Sequence, residues 1–180
     1  ASGTLAEPVV NAALRVTGLS FDHELAGDFQ LNAITHGSDM RLSGRSQFNQ
    51  ADLEIDGNVS LRSDWPTSLA LHFSHLDIDS LLREYLKGRV TGHSALAGDI
   101  TLAGPLRQPQ QLRVAGTVTD LMVDLENIKL RNDGPARFSA SREAVNIETL
   151  RLIGEGTDLS LGGIASLVGD QRLDLKAKGS

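Results

Sequence analysis

Apolar and polar residues alternate along most of this chain. In residues 53–61, Leu, Ile, Gly, Val and Leu occupy the odd positions, and acidic or polar residues occupy the even ones. Residues 40–48 alternate in the same way, and Asn49-Gln50 between the two runs fits a hairpin turn. Because successive side chains of a strand point to opposite faces, each run predicts a strand with one dry and one wet face. Similar runs, separated by short Gly-, Pro-, Asn-, Asp- or Ser-containing connections, predict on the order of a dozen strands in an antiparallel meander.

One stretch interrupts the alternation and predicts a helix over about residues 79–87. Asp79 can cap its first turn, and Gly88 can take the left-handed exit at its end. Four apolar side chains share one face of this helix, and we expect them to plug the dry face of the sheet: Leu81, Leu82, Tyr85 and Leu86. The prediction is one domain over residues 1–180, with the helix between two sheet portions at 4–76 and 93–179.

A helix this short cannot cover the dry face of such a sheet. About nine residues make a helix about 13 Å long, whereas a dozen strands span about 50 to 60 Å. The predicted fold class is therefore all-β with one short helix, as a long antiparallel meander curled into a taco-like groove or, alternatively, as a closed β-sandwich. The lining favours the groove, because it is aliphatic, with many Ala and Gly positions and few large rings to fill a closed core.

Composition and charge narrow the function classes. The chain has 180 residues, a formal net charge of -6 and no cysteine. No basic stripe is visible, so we expect no nucleic-acid partner, and without cysteine neither a disulfide framework nor a thiolate metal site can form. No apolar run approaches the roughly 18 to 20 residues that would span a bilayer.

Two groups of residues have the chemistry of metal ligands. His72, His75 and Asp77 lie close in sequence, but strand positions three apart point to opposite faces, which favours ordinary surface histidines. The acidic residues at 52, 54 and 56 share a face, and a solvated strand face explains them. We therefore expect no metal and no cofactor.

No arrangement in the sequence indicates catalysis. Ser20, His23 and Asp28 have the residue types of a catalytic triad, but no nucleophile elbow surrounds the serine. Residues 154–157 and the pair Gly162-Gly163 lack the lysine and the following helix of a phosphate loop. The sequence predicts that the protein is not an enzyme and has no catalytic residues.

Several short motifs follow one another in a fixed order from residue 76 onwards. They are Leu76-Asp-Ile-Asp-Ser-Leu-Leu, Gly92 with Gly98, Leu102-Ala-Gly-Pro-Leu-Arg-Gln-Pro, Gly134-Pro135, Leu150-Arg-Leu-Ile-Gly-Glu-Gly-Thr-Asp-Leu-Ser-Leu-Gly-Gly and Leu173-Asp-Leu-Lys-Ala-Lys-Gly. In their order and spacing they resemble the AsmA-like superfamily of bacterial envelope proteins, and most closely its TamB-type members. None of these motifs is catalytic.

The resemblance implies a β-taco with an apolar inner face, repeated along a rod that crosses the periplasm. It also implies an inner-membrane anchor, which we expect outside this fragment. The implied function is transport of phospholipid between the inner and outer membranes, or assistance to outer-membrane protein assembly and secretion. An outer-membrane β-barrel is the implied assembly partner, through segments that this chain lacks.

Three hypotheses of function follow from the pattern and the resemblance. The first is a hydrophobic conduit for phospholipid acyl chains or unfolded outer-membrane protein strands. Its predicted lining is Leu53, Ile55, Val59, Leu69, Leu71, Phe73, Leu96, Ile100, Leu112 and Val114. The second is an inert structural β-rod or adhesin-like interaction module, and the third, less favoured, is an enzyme of the β-helix kind. Open sheet edges would let the chain self-associate.

Overall fold

The computed structural model describes residues 2–3, 8–9, 11–21, 24–48, 51–77, 79, 92–125, 128–166 and 173–179. Nearly all of them lie in strands. A small hairpin of β1 (Ser2–Gly3) and β2 (Pro8–Val9) comes first. The longer strands are β3 (Asn11–Phe21), β4 (Glu24–His36), β5 (Asp39–Phe48), β6 (Ala51–Ser60), β7 (Pro66–Leu76), β8 (Gly92–Pro105), β9 (Arg113–Leu125), β10 (Ile128–Asn132), β11 (Ala136–Ala140), β12 (Ala144–Gly154), β13 (Thr157–Ser166) and β14 (Leu173–Gly179). One 3-10 turn, η1 (Pro109–Gln111), separates β8 from β9.

The twelve longer strands form one antiparallel sheet in sequence order. β10 and β11 follow one another in line and share a single position, because each pairs with both β9 and β12. With eleven positions in its order, the sheet is about 50 Å wide at the usual strand spacing. The predicted all-β antiparallel meander is confirmed. The sheet portions before and after the predicted helix belong to the same sheet, since β7 pairs directly with β8.

The short connections have the turn chemistry that the sequence predicts. Gly37, with a φ of 64°, lies in the two-residue turn between β4 and β5, and Gly156, with a φ of 69°, does the same between β12 and β13. Positive φ is the conformation that two-residue hairpin turns require and that glycine adopts without strain. Pro66 begins β7, so the Trp65-Pro66 pair ends the preceding connection.

A bulge in β9 explains why the apolar parity switches between Val118 and Leu121. Ala97 pairs with Asp120 but Gly98 pairs with Val118, so Thr119 is an extra residue in the ladder. The side chain of Asn132 compensates for the disrupted pairing. Its oxygen accepts from the Leu121 backbone N–H at 2.9 Å, and its amide donates to the Thr119 carbonyl at 3.0 Å. One side chain therefore satisfies backbone groups beside the bulge.

The predicted helix over 79–87 lies outside the described residues, apart from Asp79. The same holds for all four side chains of the expected plug, Leu81, Leu82, Tyr85 and Leu86. The packing of this segment against the dry face therefore stays a prediction.

Few apolar side chains are fully buried in the described part of the chain. They are Ala51, Val59, Leu61, Phe73, Val123 and Ala136. Most other apolar side chains of the central strands are only half-buried, and Leu14 on β3 is 51 % exposed. A second sheet packed across this face would bury such residues completely. The described strands therefore form one sheet with an open apolar face, and its most buried residues lie on and beside β6 and β7. They do not form the closed two-sheet sandwich that was the alternative prediction.

Two glycines let large rings lie flat on the sheet. The ring of Phe138 occupies the space where a Cβ of Gly116 would be, and a Cβ on Gly98 would stand 3.0 Å from Cζ of Phe73. Gly116 pairs with Phe138 and Gly98 with Phe73, so each ring covers the glycine of its neighbouring strand.

We expect Gly116→Ala to destabilise the protein by about 1 to 3 kcal/mol, because the new methyl group displaces the Phe138 ring from a packed position. Gly162→Ala is the matched control, since the nearest atoms to its added Cβ are backbone oxygens at 3.4 and 3.5 Å. That change should alter stability by no more than about 0.5 kcal/mol. Urea unfolding of the two variants checks this, and equal losses in both would contradict the packing described.

Candidate functional site: an uncharged apolar face

Strand register places the apolar residues of all central strands on one side of the sheet. Leu53 pairs with Phe73, Leu71 with Ile100 and Leu102 with Val114, and directly paired residues share a face. The face continues outward into the strands on both sides, through Leu14, Phe29, Leu31, Leu42, Leu121, Leu130, Ile147, Leu150, Leu152, Leu159 and Leu161. Among the strand residues whose side chains the structure describes, none on this side is charged. We call this surface the apolar face.

The opposite side, here the polar face, carries the charged strand residues. Arg41 pairs with Asp56 at 3.1 Å, Arg45 with Glu54 at 3.0 Å, and Lys129 with Asp124 at 3.5 Å. These pairs are exposed, so each contributes at most about 1 kcal/mol to stability. These charged residues keep the polar face solvated, opposite the apolar face. The acidic residues at 52, 54 and 56 belong to the polar face.

All ten residues of the predicted lining have the parity of the apolar face. Val59 and Phe73 are buried, with 0 % and 4 % exposure, and the other eight are half-buried. Leu112 precedes β9, where its Cα lies 3.1 Å from the position of a Cβ on Gly104. The apolar face extends beyond these ten residues, to β3 on one side and to β13 on the other. The alternation of apolar and polar residues in these outer strands is the sequence feature that could have identified the rest of the face.

Three hydroxyl side chains on the apolar face donate to acceptors within the protein. Ser46 donates to the Asp28 carbonyl at 2.8 Å, Thr67 to the Trp65 carbonyl at 3.0 Å, and Ser94 to Oδ1 of Asp79 at 2.6 Å. Because these hydroxyl hydrogens are already used, they do not serve as donors to a polar ligand on the face. The face is suited to hydrocarbon.

Two neighbouring connections interlock at one end of the strands. The Leu106 and Arg107 backbone N–H groups donate to the carbonyls of Trp65 at 3.0 Å and Asp64 at 3.1 Å. The Arg107 guanidinium lies 4.9 Å from the centre of the Trp65 ring, a cation–π contact. Trp65 has a φ of 60°, which is rare for a bulky residue and is fixed here by these contacts. We call this end of the sheet, with the connections 37–38, 61–65, 106–112 and 141–143, the Trp65 rim.

At the opposite end, here the Asp79 rim, a hydrogen-bonded clasp joins the end of β7 to the start of β8. Asp79 accepts from Ser94 at 2.6 Å and lies 3.2 Å from Nδ1 of His93, while its own backbone N–H donates to Asp77 at 2.5 Å. The Asp79 side chain is only 12 % exposed. Burial by itself raises the pKa of the Asp79 carboxyl. The hydrogen bonds that Asp79 makes with Ser94, Asp77 and His93 outweigh burial, and the net effect is a lowered pKa.

This shift gives the clasp a defined pH dependence. Because the pKa of Asp79 is lower in the folded than in the unfolded chain, its stabilising effect is complete at neutral pH and is lost as pH falls below about 4. We expect Asp79→Asn to lose about 1 to 2 kcal/mol at pH 7 and to flatten the acid limb of the stability curve. Chemical unfolding between pH 7 and pH 2 measures this. Asp120→Asn, an exposed aspartate, is the control and should keep the wild-type slope.

The histidine prediction was wrong in one respect. His72 and His75 were expected on opposite faces, but His72 lies 2.9 Å from Asp99 and His75 lies 3.8 Å from Asp52, and both carboxylates belong to the polar face. The irregular register between Phe73 and Leu76, with a φ of 56° at His75, turns both rings to that side. Even so, the described residues contain no group of three or more ligands placed to hold a metal ion.

Of the three residues with triad chemistry, Ser20 and His23 have side chains that lie outside the described part of the structure. Among the described residues, no helix is long and apolar enough to cross a membrane.

The described residues together define a class of protein: an open antiparallel β-sheet, one face of which carries no charged strand side chain among those described. No family model matches the sequence, and neither a curated protein nor a solved structure matches it.

Proposed function

We propose that this chain is a segment of a hydrophobic conduit that carries phospholipid acyl chains along the apolar face. The observation that supports it is the continuity of that face. Among the strand residues whose side chains are described, it runs from β3 to β13 without a charged residue, and most of it is half-exposed. The resemblance to TamB-type proteins of the AsmA-like superfamily supports a place in the periplasm, with movement between the inner and outer membranes. In this proposal an inner-membrane anchor belongs to the parent protein.

The dimensions suit a conduit rather than a pocket for one ligand. A hydrocarbon core about 30 Å thick contains two opposed layers of acyl chains, so one chain is about 15 Å long. The apolar face is about 50 Å across its strands. Burial of each methylene group contributes about 0.8 kcal/mol, and a lining of uniformly aliphatic residues offers similar energies at successive positions. An acyl chain is therefore held, yet can move from strand to strand.

Unfolded outer-membrane protein strands fit this face less well. A polypeptide lying on it would place one N–H and one C=O per residue against aliphatic side chains, and unpaired buried backbone groups are costly. The hydroxyls of Ser46, Thr67 and Ser94 already donate elsewhere. A role in assembly would instead use the sheet edges, or a β-barrel partner reached through other segments of the parent protein.

Lipid extraction and mass spectrometry of the purified protein test the proposal. The chain, produced in a bacterial host and purified without detergent, should carry co-purifying phospholipid in amounts comparable to the protein. Delipidation followed by incubation with phospholipid vesicles should restore the same content. Absence of lipid in both samples would contradict the conduit and favour an inert structural rod or adhesin-like module.

A further inference from the structure

The apolar face has a limited extent along its strands. It covers residues 51–61 on and just after β6 and residues 96–104 on β8, with an apolar side chain or glycine at every second position. At about 3.3 Å per residue, these two runs are about 33 and 26 Å long. From one rim to the other, the face therefore measures about 30 Å. Its middle is the row in which Ile55, Leu71 and Ile100 pair across β6, β7 and β8.

Charged, exposed residues lie at both ends of these runs. Arg62, Asp64 and Arg107 are exposed at the Trp65 rim. Asp77 and Glu155 are exposed at the Asp79 rim. Water therefore reaches the apolar face from both rims, whereas the described strand residues between the rims carry no charge on this face.

The distance between the rims matches two acyl chains placed end to end, because a bilayer core about 30 Å thick contains two opposed chains of about 15 Å each. A chain that lies parallel to the strands, with its headgroup beyond a rim, keeps its hydrocarbon on the face and its phosphate in water. A chain that crosses the strands leaves its headgroup above aliphatic side chains, and a charge placed against hydrocarbon is unfavourable. The geometry therefore favours chains that run parallel to the strands.

We propose that phospholipids lie on the apolar face in two opposed rows, with the headgroups of one row at the Trp65 rim and those of the other at the Asp79 rim. The chain ends of the two rows meet near Leu71 and Ile100. This inference rests on the proposed function and specifies its ligand class: amphiphiles with about 15 Å of hydrocarbon for each polar end. Movement along the conduit is then sideways, from strand to strand, and each headgroup follows its own rim.

Calorimetric titration with three probes tests this arrangement at about pH 8, where carboxylates are ionised. The probes are a fatty-acid monocarboxylate about 15 Å long, the dicarboxylate of the same length, and a dicarboxylate about 30 Å long. The long dicarboxylate should bind at least as tightly as the monocarboxylate, because both of its charges lie beyond the rims. The short dicarboxylate should bind at least about a hundredfold more weakly than the monocarboxylate, because its second charge lies in the middle of the face.

Leu71→Arg should reverse the order of the two short probes, because it places a cation where the second carboxylate of the short dicarboxylate lies. We expect this variant to bind the short dicarboxylate at least about tenfold more tightly than the wild-type chain does, and to bind the monocarboxylate more weakly. Ala70→Arg is the matched control, since Ala70 precedes Leu71 on the same strand and is exposed on the polar face. It should change neither affinity.

Failure of the two-row arrangement is distinguishable from failure of the conduit. If the wild-type chain binds neither the monocarboxylate nor phospholipid, the proposed function fails. If it binds the monocarboxylate well but both dicarboxylates equally weakly, the chains cross the strands, so the conduit stands and the two rows are overturned. A short dicarboxylate that binds as tightly as the monocarboxylate would also overturn them, as would an equal gain from Ala70→Arg and Leu71→Arg.

Discussion

Leu71→Arg should abolish lipid binding and transport while the protein still folds. Leu71 lies on β7 near the middle of the sheet, between its partners Ile55 and Ile100 on the apolar face. Its side chain is half-buried rather than enclosed, so the longer arginine can reach solvent without disrupting the strands. An acyl chain, however, would lie against an unpaired charge, at a cost of several kcal/mol. We expect at least about a hundredfold weaker binding.

Ala70→Arg is the matched control for this prediction. Ala70 is the preceding residue, is exposed and lies on the polar face, so the same charge is added to the same strand on the other side. Fluorescent-lipid binding and complementation of transport in cells, with protein levels measured alongside, distinguish the two variants. Normal transport in Leu71→Arg cells that make normal amounts of protein would show that the apolar face is not the route for lipid.

The isolated chain should self-associate as its concentration rises. β3 and β14 are the first and last strands of the sheet order, and each has only one strand partner in the described sheet. An open edge offers a row of backbone donors and acceptors to another chain. On β3, Leu14 is 51 % exposed and adds apolar surface at that edge. Sedimentation velocity between micromolar and near-millimolar concentrations should show dimers and larger species.

Leu14→Lys should shift this association to at least about tenfold higher concentration, because charged residues on an edge strand oppose pairing with another strand. Thr101→Lys adds the same charge to the polar face of central β8 and should leave association unchanged. A strictly monomeric wild-type chain over the whole range would mean that the edges are protected, which contradicts a sheet open to continuation.

Much of the fold followed from the sequence because strands have a period of two. The run at 53–61 is buried or half-buried on its odd positions and exposed on most even ones, so alternation alone gave the faces of β6. Alternation did not predict which face a residue occupies at the positions where the strand register shifts. The extra residue at Thr119 and the turned backbone at His75 depend on pairing with neighbouring strands, which single-strand patterns do not contain.

The site was predictable in part for the same physical reason. Leu71 and Ile100 were placed on the lining by parity, and their pairing puts them side by side. The concavity lined by Arg113 and Glu143 was not predicted, because these residues lie thirty residues apart in the sequence and only the order of the strands brings them to one end of the sheet. The interlocked Trp65 and Arg107 were missed likewise, since no periodic pattern links two turns.

Photo-cross-linking from two adjacent positions on β8 tests most directly whether phospholipid lies on the apolar face. A photoreactive phenylalanine analogue replaces Ile100, which lies on the apolar face, or Thr101, which is exposed on the polar face. After illumination in cells, mass spectrometry of the purified chain identifies what each position touches. We expect phospholipid adducts at position 100 and none above background at position 101. Equal lipid labelling at the two positions, or none at either, would contradict the conduit.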